Sequence, residues 1–268
     1  MRDSDVELVA RRHRLDVFLS SRDAAHALTN DALDSGVACE SLTAAATDVA
    51  SYADEAIAIV RDEYRPALAC REGCAFCCCK PGVLVTVPEF LRIVAHVRTT
   101  FPKDALIQLA EKAGRYVAQL DGRAFNEPTH ASVPCPLLVD DRCSVYGIRP
   151  LVCRGYNSTD VDACRRAHAD PSVLVPIFAI VKDVADGAAV GTCHALAEAG
   201  VRGRAVVDLG TALHVALSAG EDFLMSIAAG HADGLARAED ASWAPELWRR
   251  VRDTAERLGI VTPDLSGA

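Results

Sequence analysis

Eleven cysteines stand in this chain of 268 residues, and eight of them fall into two groups. The first group is Cys70, Cys74, Cys77 and Cys78, with Cys79 directly after it; the second is Cys135, Cys143, Cys153 and Cys164. A soft or borderline cation needs several thiolates within a few ångströms of one point. Two and three intervening residues let consecutive thiols converge without strain. On a helix, residues 70, 74, 77 and 78 would fall within roughly 100° of one another, and residue 79 would point away. Gly73 favours a turn instead, and the convergence survives it. The reading therefore takes Cys70, Cys74, Cys77 and Cys78 as metal ligands and leaves Cys79 as a neighbour.

In the second group, Cys135 to Tyr146 reads as a β-hairpin turning at Asp140-Asp141. That turn sets Cys143 opposite Leu138 and Cys135 opposite Tyr146, with both thiols at one end of the ribbon. Arg149-Pro150 opens a short helix that brings in Cys153, and Ser158 or Thr159 caps a further turn with Cys164. Small buried apolar cysteines are common, but that explains one or two thiols, not eight in two clusters. It suffices for Cys39 and Cys193. Arg71, Lys80, Arg142, Arg149, Arg154, Arg165 and Arg166 lie near the cysteines, where cations lower thiol pKa values and donate hydrogen bonds to thiolates. Arg149 and Arg154 are the foremost of these. His130, His168 and His194 are weaker candidates, because a lone histidine is more often a surface or satisfied core residue.

The cysteine count is odd, and residues 1–21 contain acids and no apolar run of a signal peptide. The expected compartment is the cytoplasm, where thiols stay reduced and clustered cysteines bind metal or do redox chemistry. No stretch approaches the ~18 apolar residues of a membrane span. The net charge of −9 argues against a nucleic-acid partner.

These thiols must be carried by a mainly α fold. Half the residues are apolar and only 5% are aromatic, with alanine abundant, a mix that favours helices. Residues 1–66 have helical periodicity and stop at Pro66. Val83–Val87 reads as a short strand. Thr86-Val-Pro-Glu89 reads as a capping box that starts a helix to about Thr100. Another helix covers 103–120, a loop covers 121–134, and helical periodicity resumes from Pro176. The expected organisation is an N-terminal helical segment (1–66), a cysteine-cluster metal-binding domain (67–170) and a C-terminal helical segment (171–268), packed as one unit. The fold class is mainly α: a helical domain with a small β-hairpin and cysteine-rich loops forming the metal-binding core.

The ordered set Cys70-x3-Cys74-x2-Cys77-Cys78, Pro134-Cys135-Pro136-Leu137, Cys143-x-Val-Tyr146, Arg149-Pro150-x-x-Cys153-Arg154 and Cys164 resembles the YkgJ-like cysteine-cluster proteins. The resemblance covers about residues 68–168. It implies zinc or iron binding, often as an iron–sulfur protein. A related cysteine pattern occurs in flagellin lysine N-methylases, which use S-adenosylmethionine and an iron–sulfur centre, so the resemblance also admits methyl transfer to a protein side chain. This chain has no Gly-rich methyltransferase loop after a strand. The order Cys-x3-Cys-x2-Cys also matches the cluster loop of radical S-adenosylmethionine enzymes. Those place the loop after the first strand of a βα barrel, whereas helix precedes and follows it here.

The leading expectation is a cytoplasmic protein binding an iron–sulfur cluster, of the [4Fe–4S] kind, with a redox or cluster-dependent role. The alternative is a structural zinc protein with four-thiolate sites. Vicinal Cys77-Cys78 is awkward for one tetrahedral ion, and a chain this long and apolar does not need zinc to fold.

Overall fold

The computed structural model describes residues 3–80, 82–120, 132–170, 172–201 and 206–219, together with positions 253, 256 and 257. The loop expected over 121–134 lies outside the described residues up to position 131, as does His130. Most of the C-terminal helical segment expected beyond position 219 lies outside them too.

The fold is mainly helical, as the composition implies. The helical stretch expected over 1–66 is two helices, α1 (Asp3–Leu33) and α2 (Cys39–Tyr64). Gly36 breaks it, with a φ of 106° that few other residues adopt, while its N–H closes on the Leu33 carbonyl at 2.8 Å. α2 stops one residue before the pre-proline Arg65, which turns left-handed. α7 (Ala179–Glu198) packs mainly on α1, at very close range. A Cβ at Gly187 would sit 2.3 Å from the Phe18 carbonyl oxygen, and one at Gly191 would sit 2.1 Å from that of Arg22. Glycine is therefore required at both positions, four residues apart on one face. Arg14 adds a two-pronged pair with Asp183, at 2.6 and 2.8 Å.

The second half of the core lies around α3 (Val87–Thr100), α4 (Lys103–Leu120) and α8 (Leu209–Ser218), where Phe90, Ile93, Leu137, Leu196 and Leu213 are among the buried side chains. The capping box is present: the Thr86 hydroxyl accepts the Glu89 N–H, and the Glu89 carboxylate accepts the Thr86 N–H at 2.8 Å. β1 (Leu84–Thr86) is the expected strand. Its partner, β4 (Val206–Asp208), was not legible within the C-terminal helical periodicity; the two pair antiparallel, Leu84 against Asp208. β4 is three residues long and fully buried, so it offers neither alternation nor length to the period test. The other sheet is the hairpin of β2 (Leu138–Val139) and β3 (Arg142–Cys143).

Candidate metal centre

Each end of the first cysteine segment is tied to a rigid element. At its start, the Ala69 N–H donates to the Ser158 carbonyl, and the Ser158 N–H donates to the Cys70 sulfur at 3.1 Å. At its end, the Gly82 N–H donates to the Tyr116 hydroxyl, which in turn donates to Asp208, the N-cap of α8. Between these anchors, Cys77–Cys79 form one turn of 3-10 helix, and residues 61–80 contain no buried side chain. This stretch has no apolar core of its own.

The second segment meets the first directly. The Val133 N–H donates to the Cys79 carbonyl at 3.1 Å, and the Cys135 N–H donates to that of Cys78 at 2.7 Å. The hairpin turns at Asp140-Asp141, both with positive φ (48° and 59°), and it sets Cys143 opposite Leu138 as the spacing predicts. The expected pairing of Cys135 with Tyr146 does not form. The ribbon ends at the Ser144 N–H to Leu137 carbonyl bond; Cys135 instead starts a turn closed by the Leu138 N–H, and Tyr146 opens a 3-10 turn. Lys112 of α4 holds the hairpin through the Leu138 carbonyl at 2.9 Å.

Cys153 rides on α5 (Leu151–Gly155), which follows Pro150 as expected. Two buried groups fix this short helix. The Glu89 carboxylate accepts the Leu151 N–H at 2.6 Å, and Arg154 pairs with Asp54 while donating to the carbonyls of Arg149 and Gly147. Cys164 rides on α6 (Val161–Ala169). Its cap is Asp160, whose carboxylate accepts the N–H groups of Asp162 and Ala163. Ser158, expected in that role, uses its hydroxyl to accept the Asp160 N–H and shapes the approach instead. α6 leans on the first segment through the ring pair Phe76–His168, with centroids 6.0 Å apart. His168 is thereby occupied as a packing group.

All eleven cysteines are free thiols. Those of the two segments lie within reach of one another's charge. Cys70 feels Cys77, Cys74 and Cys164; Cys153 feels Cys135, Cys77 and Cys143; Cys143 feels Cys77. Cys77 is thus common to both sets. Burial, then neighbouring thiols, pushes the Cys153 thiol well up. Burial pushes Cys135 up to about 12. A hydrogen bond to the Cys78 thiol pushes Cys77 up strongly. Backbone N–H groups work in the other direction: Ser158 on Cys70, Leu137 on Cys135 and Val145 on Cys143 each favour the thiolate, and the Arg149 guanidinium helps at Cys143. Thiols crowded this way repel as anions and are neutral alone. A bound cation outweighs the burial and the repulsion between thiolates, and the amides are placed to stabilise the charge it brings out.

Two further groups adjoin these thiols. Cys79 belongs to the same neighbourhood: it feels Cys77, its charge reaches Cys135, and the Ser132 hydroxyl hydrogen-bonds to it. Cys77–Cys79 form a 3-10 turn rather than the helix of the projection, and Cys79 is a neighbour of the set, as expected. The charges of Cys77, Cys164 and Cys70 also reach the Tyr156 phenol. No spacing rule points to that tyrosine. Cys39 packs against the apolar core and Cys193 is buried within α7, as expected of ordinary small residues. Arg149 lies over the Tyr146 ring, 4.2 Å from its centroid.

Residues 69–170 match the CxxCxxCC family model, described as a "Putative zinc- or iron-chelating domain", the cysteine-cluster pattern that the spacing resembles, and the match supports metal binding through these cysteines. No curated protein and no solved structure matches the chain significantly. Among the described residues, no helix is long and apolar enough to cross a membrane.

Proposed function

We propose that the two cysteine segments hold one iron–sulfur centre and that the protein serves a redox or cluster-dependent role in the cytoplasm. Its ligands are drawn from Cys70, Cys74, Cys77, Cys78, Cys135, Cys143, Cys153 and Cys164. The observation that carries this reading is the spread of a thiol set that nevertheless interacts as one group. A zinc ion with ~2.3 Å bonds holds four sulfurs about 3.8 Å apart. Among the described residues, no three cysteine sulfurs lie within 4.8 Å of one another. A cluster seats its thiolates on separate irons and spaces them more widely. The donor set fits such a group: soft sulfurs, three of them already facing backbone N–H donors, which tune iron–sulfur potentials.

The test is anaerobic purification followed by an absorption spectrum and by iron, sulfide and zinc analysis. Brown protein with a broad visible absorption and matching iron and sulfide supports the reading. Colourless protein with stoichiometric zinc and no sulfide overturns it in favour of structural zinc.

A further inference from the structure

Away from the cysteines, three side chains with metal-binding chemistry converge between α1 and α7. His26 comes from α1; His194 and Glu198 come from α7, one turn apart on one face. Each offers one ligand atom, and the three atoms lie within 4.8 Å of one another. His26 Nε2 is 2.7 Å from one Glu198 oxygen, and His194 Nε2 is 3.7 Å from the other. The imidazole centroids are 5.0 Å apart. This convergence follows from the glycine contact described above. With no side chain at Gly191, the α1 backbone at Arg22 closes onto α7, and the next turns of both helices bring the three groups together.

We propose that His26, His194 and Glu198 form a second metal site, separate from the cysteine centre, for a borderline divalent first-row cation such as Zn²⁺. Two imidazoles and a carboxylate are donors that such ions take, and three protein ligands leave a position open to solvent or a small ligand. A tetrahedron with bonds near ~2.0–2.1 Å has edges of about 3.4 Å. The two imidazoles lie 2.7 and 3.7 Å from different oxygens of Glu198 and the three ligand atoms within 4.8 Å of one another, so side-chain adjustment suffices. On binding, the hydrogen bond between His26 and Glu198 gives way to two metal bonds, and the ring proton passes by way of solvent from Nε2 to Nδ1, so that a neutral imidazole is the ligand. The side chains are part-open, from 14% exposed at His194 to 49% at Glu198, so an ion can enter. Burial disfavours the imidazolium at His194, and the His26 hydrogen bond favours the Glu198 carboxylate; both leave lone pairs ready for a metal. Nearby Arg22 and Asp23 are paired with each other, and their opposite charges both reach His194. Asn30, one turn on from His26, lies 3.4 Å from its Nε2, and a metal bound there displaces that contact. Without sulfur, this site selects differently from the cysteines, and it stands whichever metal they hold.

The experiment titrates Co²⁺ into the full chain, purified anaerobically with its cysteine centre loaded. The expected result is one further equivalent, with weak visible d–d bands and no new thiolate-to-cobalt charge-transfer absorption. It also raises the melting midpoint. Loss of a hydrogen-bonding partner around a metal weakens binding by about 10–100-fold, so Glu198→Gln and His194→Gln, which alter direct ligands, should each weaken Co²⁺ by at least about tenfold. Arg14→Gln, which loosens the same helix pair away from the site, should leave the affinity unchanged. Glu198 is half exposed, so Glu198→Gln keeps the fold, checked by an unchanged melting midpoint without cobalt. No further equivalent, one that shows thiolate charge transfer, or one that Glu198→Gln retains at full affinity would overturn the site and leave a simple histidine–carboxylate pair.

Discussion

Helix α7 buries most of its twenty residues, many of them alanine and glycine, whereas residues 61–80, with five of the cysteines, bury none. The two regions are held by different physics. α1 and α7 are held by backbone-to-backbone closeness and apolar burial, which are present whatever the chain binds. The first cysteine segment is held by a few hydrogen bonds at its ends, while the sulfurs it shares with the second repel one another as anions. The first region is a frame, and the second has no such frame of its own, so a bound cation is expected to order it.

The sharpest way to break this contrast is to remove the metal. Treatment with a strong chelator under reducing, anaerobic conditions should raise amide hydrogen exchange across 69–80 and 133–164. Amides of α1 and α7 should stay protected. Uniform loss of protection would show that the frame also depends on the centre. Next in size is Gly191→Ala. Its new methyl meets the Arg22 carbonyl, and overpacking of that kind costs about 3 kcal/mol, at the upper end of the usual range. The melting midpoint should fall by roughly 6–12 °C. The occupancy of the cysteine centre in the folded fraction should not change.

Arg154→Met sits between the two regions. It strands the carbonyls of Arg149 and Gly147, costing about 2 kcal/mol, and frees the turn that leads into Cys153. Global stability should fall less than in Gly191→Ala, while chelation of the metal should become faster. Equal chelation rates in wild type and variant would separate Arg154 from the centre. The smallest effect is expected at Gly147→Ala, where the added carbon meets nothing within 4 Å and the backbone is ordinary. Its unfolding free energy should stay within about 0.5 kcal/mol of wild type.

Much of this was legible from local chemistry. The Thr86/Glu89 cap, the hairpin at Asp140-Asp141, its Leu138–Cys143 register and the helix opened by Pro150 each depend on a few adjacent residues. What stayed hidden depends on distant ones. β4 exists because β1 lies beside it, and a three-residue buried strand in an Ala- and Val-rich stretch has no pattern of its own. Glu89 was legible as a cap, but not as the acceptor for Leu151, 62 residues away. The 3-10 turn at Cys77–Cys79 was not legible from the spacing either. His194 alone was correctly a weak candidate; its interest comes from His26, far earlier in the chain, which only the packing of α7 on α1 supplies.

The separation in sequence between α1 and α7 also sets an order of events during synthesis. His26 meets Glu198 across 172 positions, so α1 emerges from the ribosome long before the helix that covers it. Both cysteine groups lie between the two. Residues 70–79 leave the ribosome first and wait, as an unpartnered set of reactive thiols, until Cys164 has followed. Contacts this distant form slowly. There is therefore a window in which every thiol of the two groups is out and the frame has not closed, and a cofactor delivered then meets a chain that can still be arranged around it.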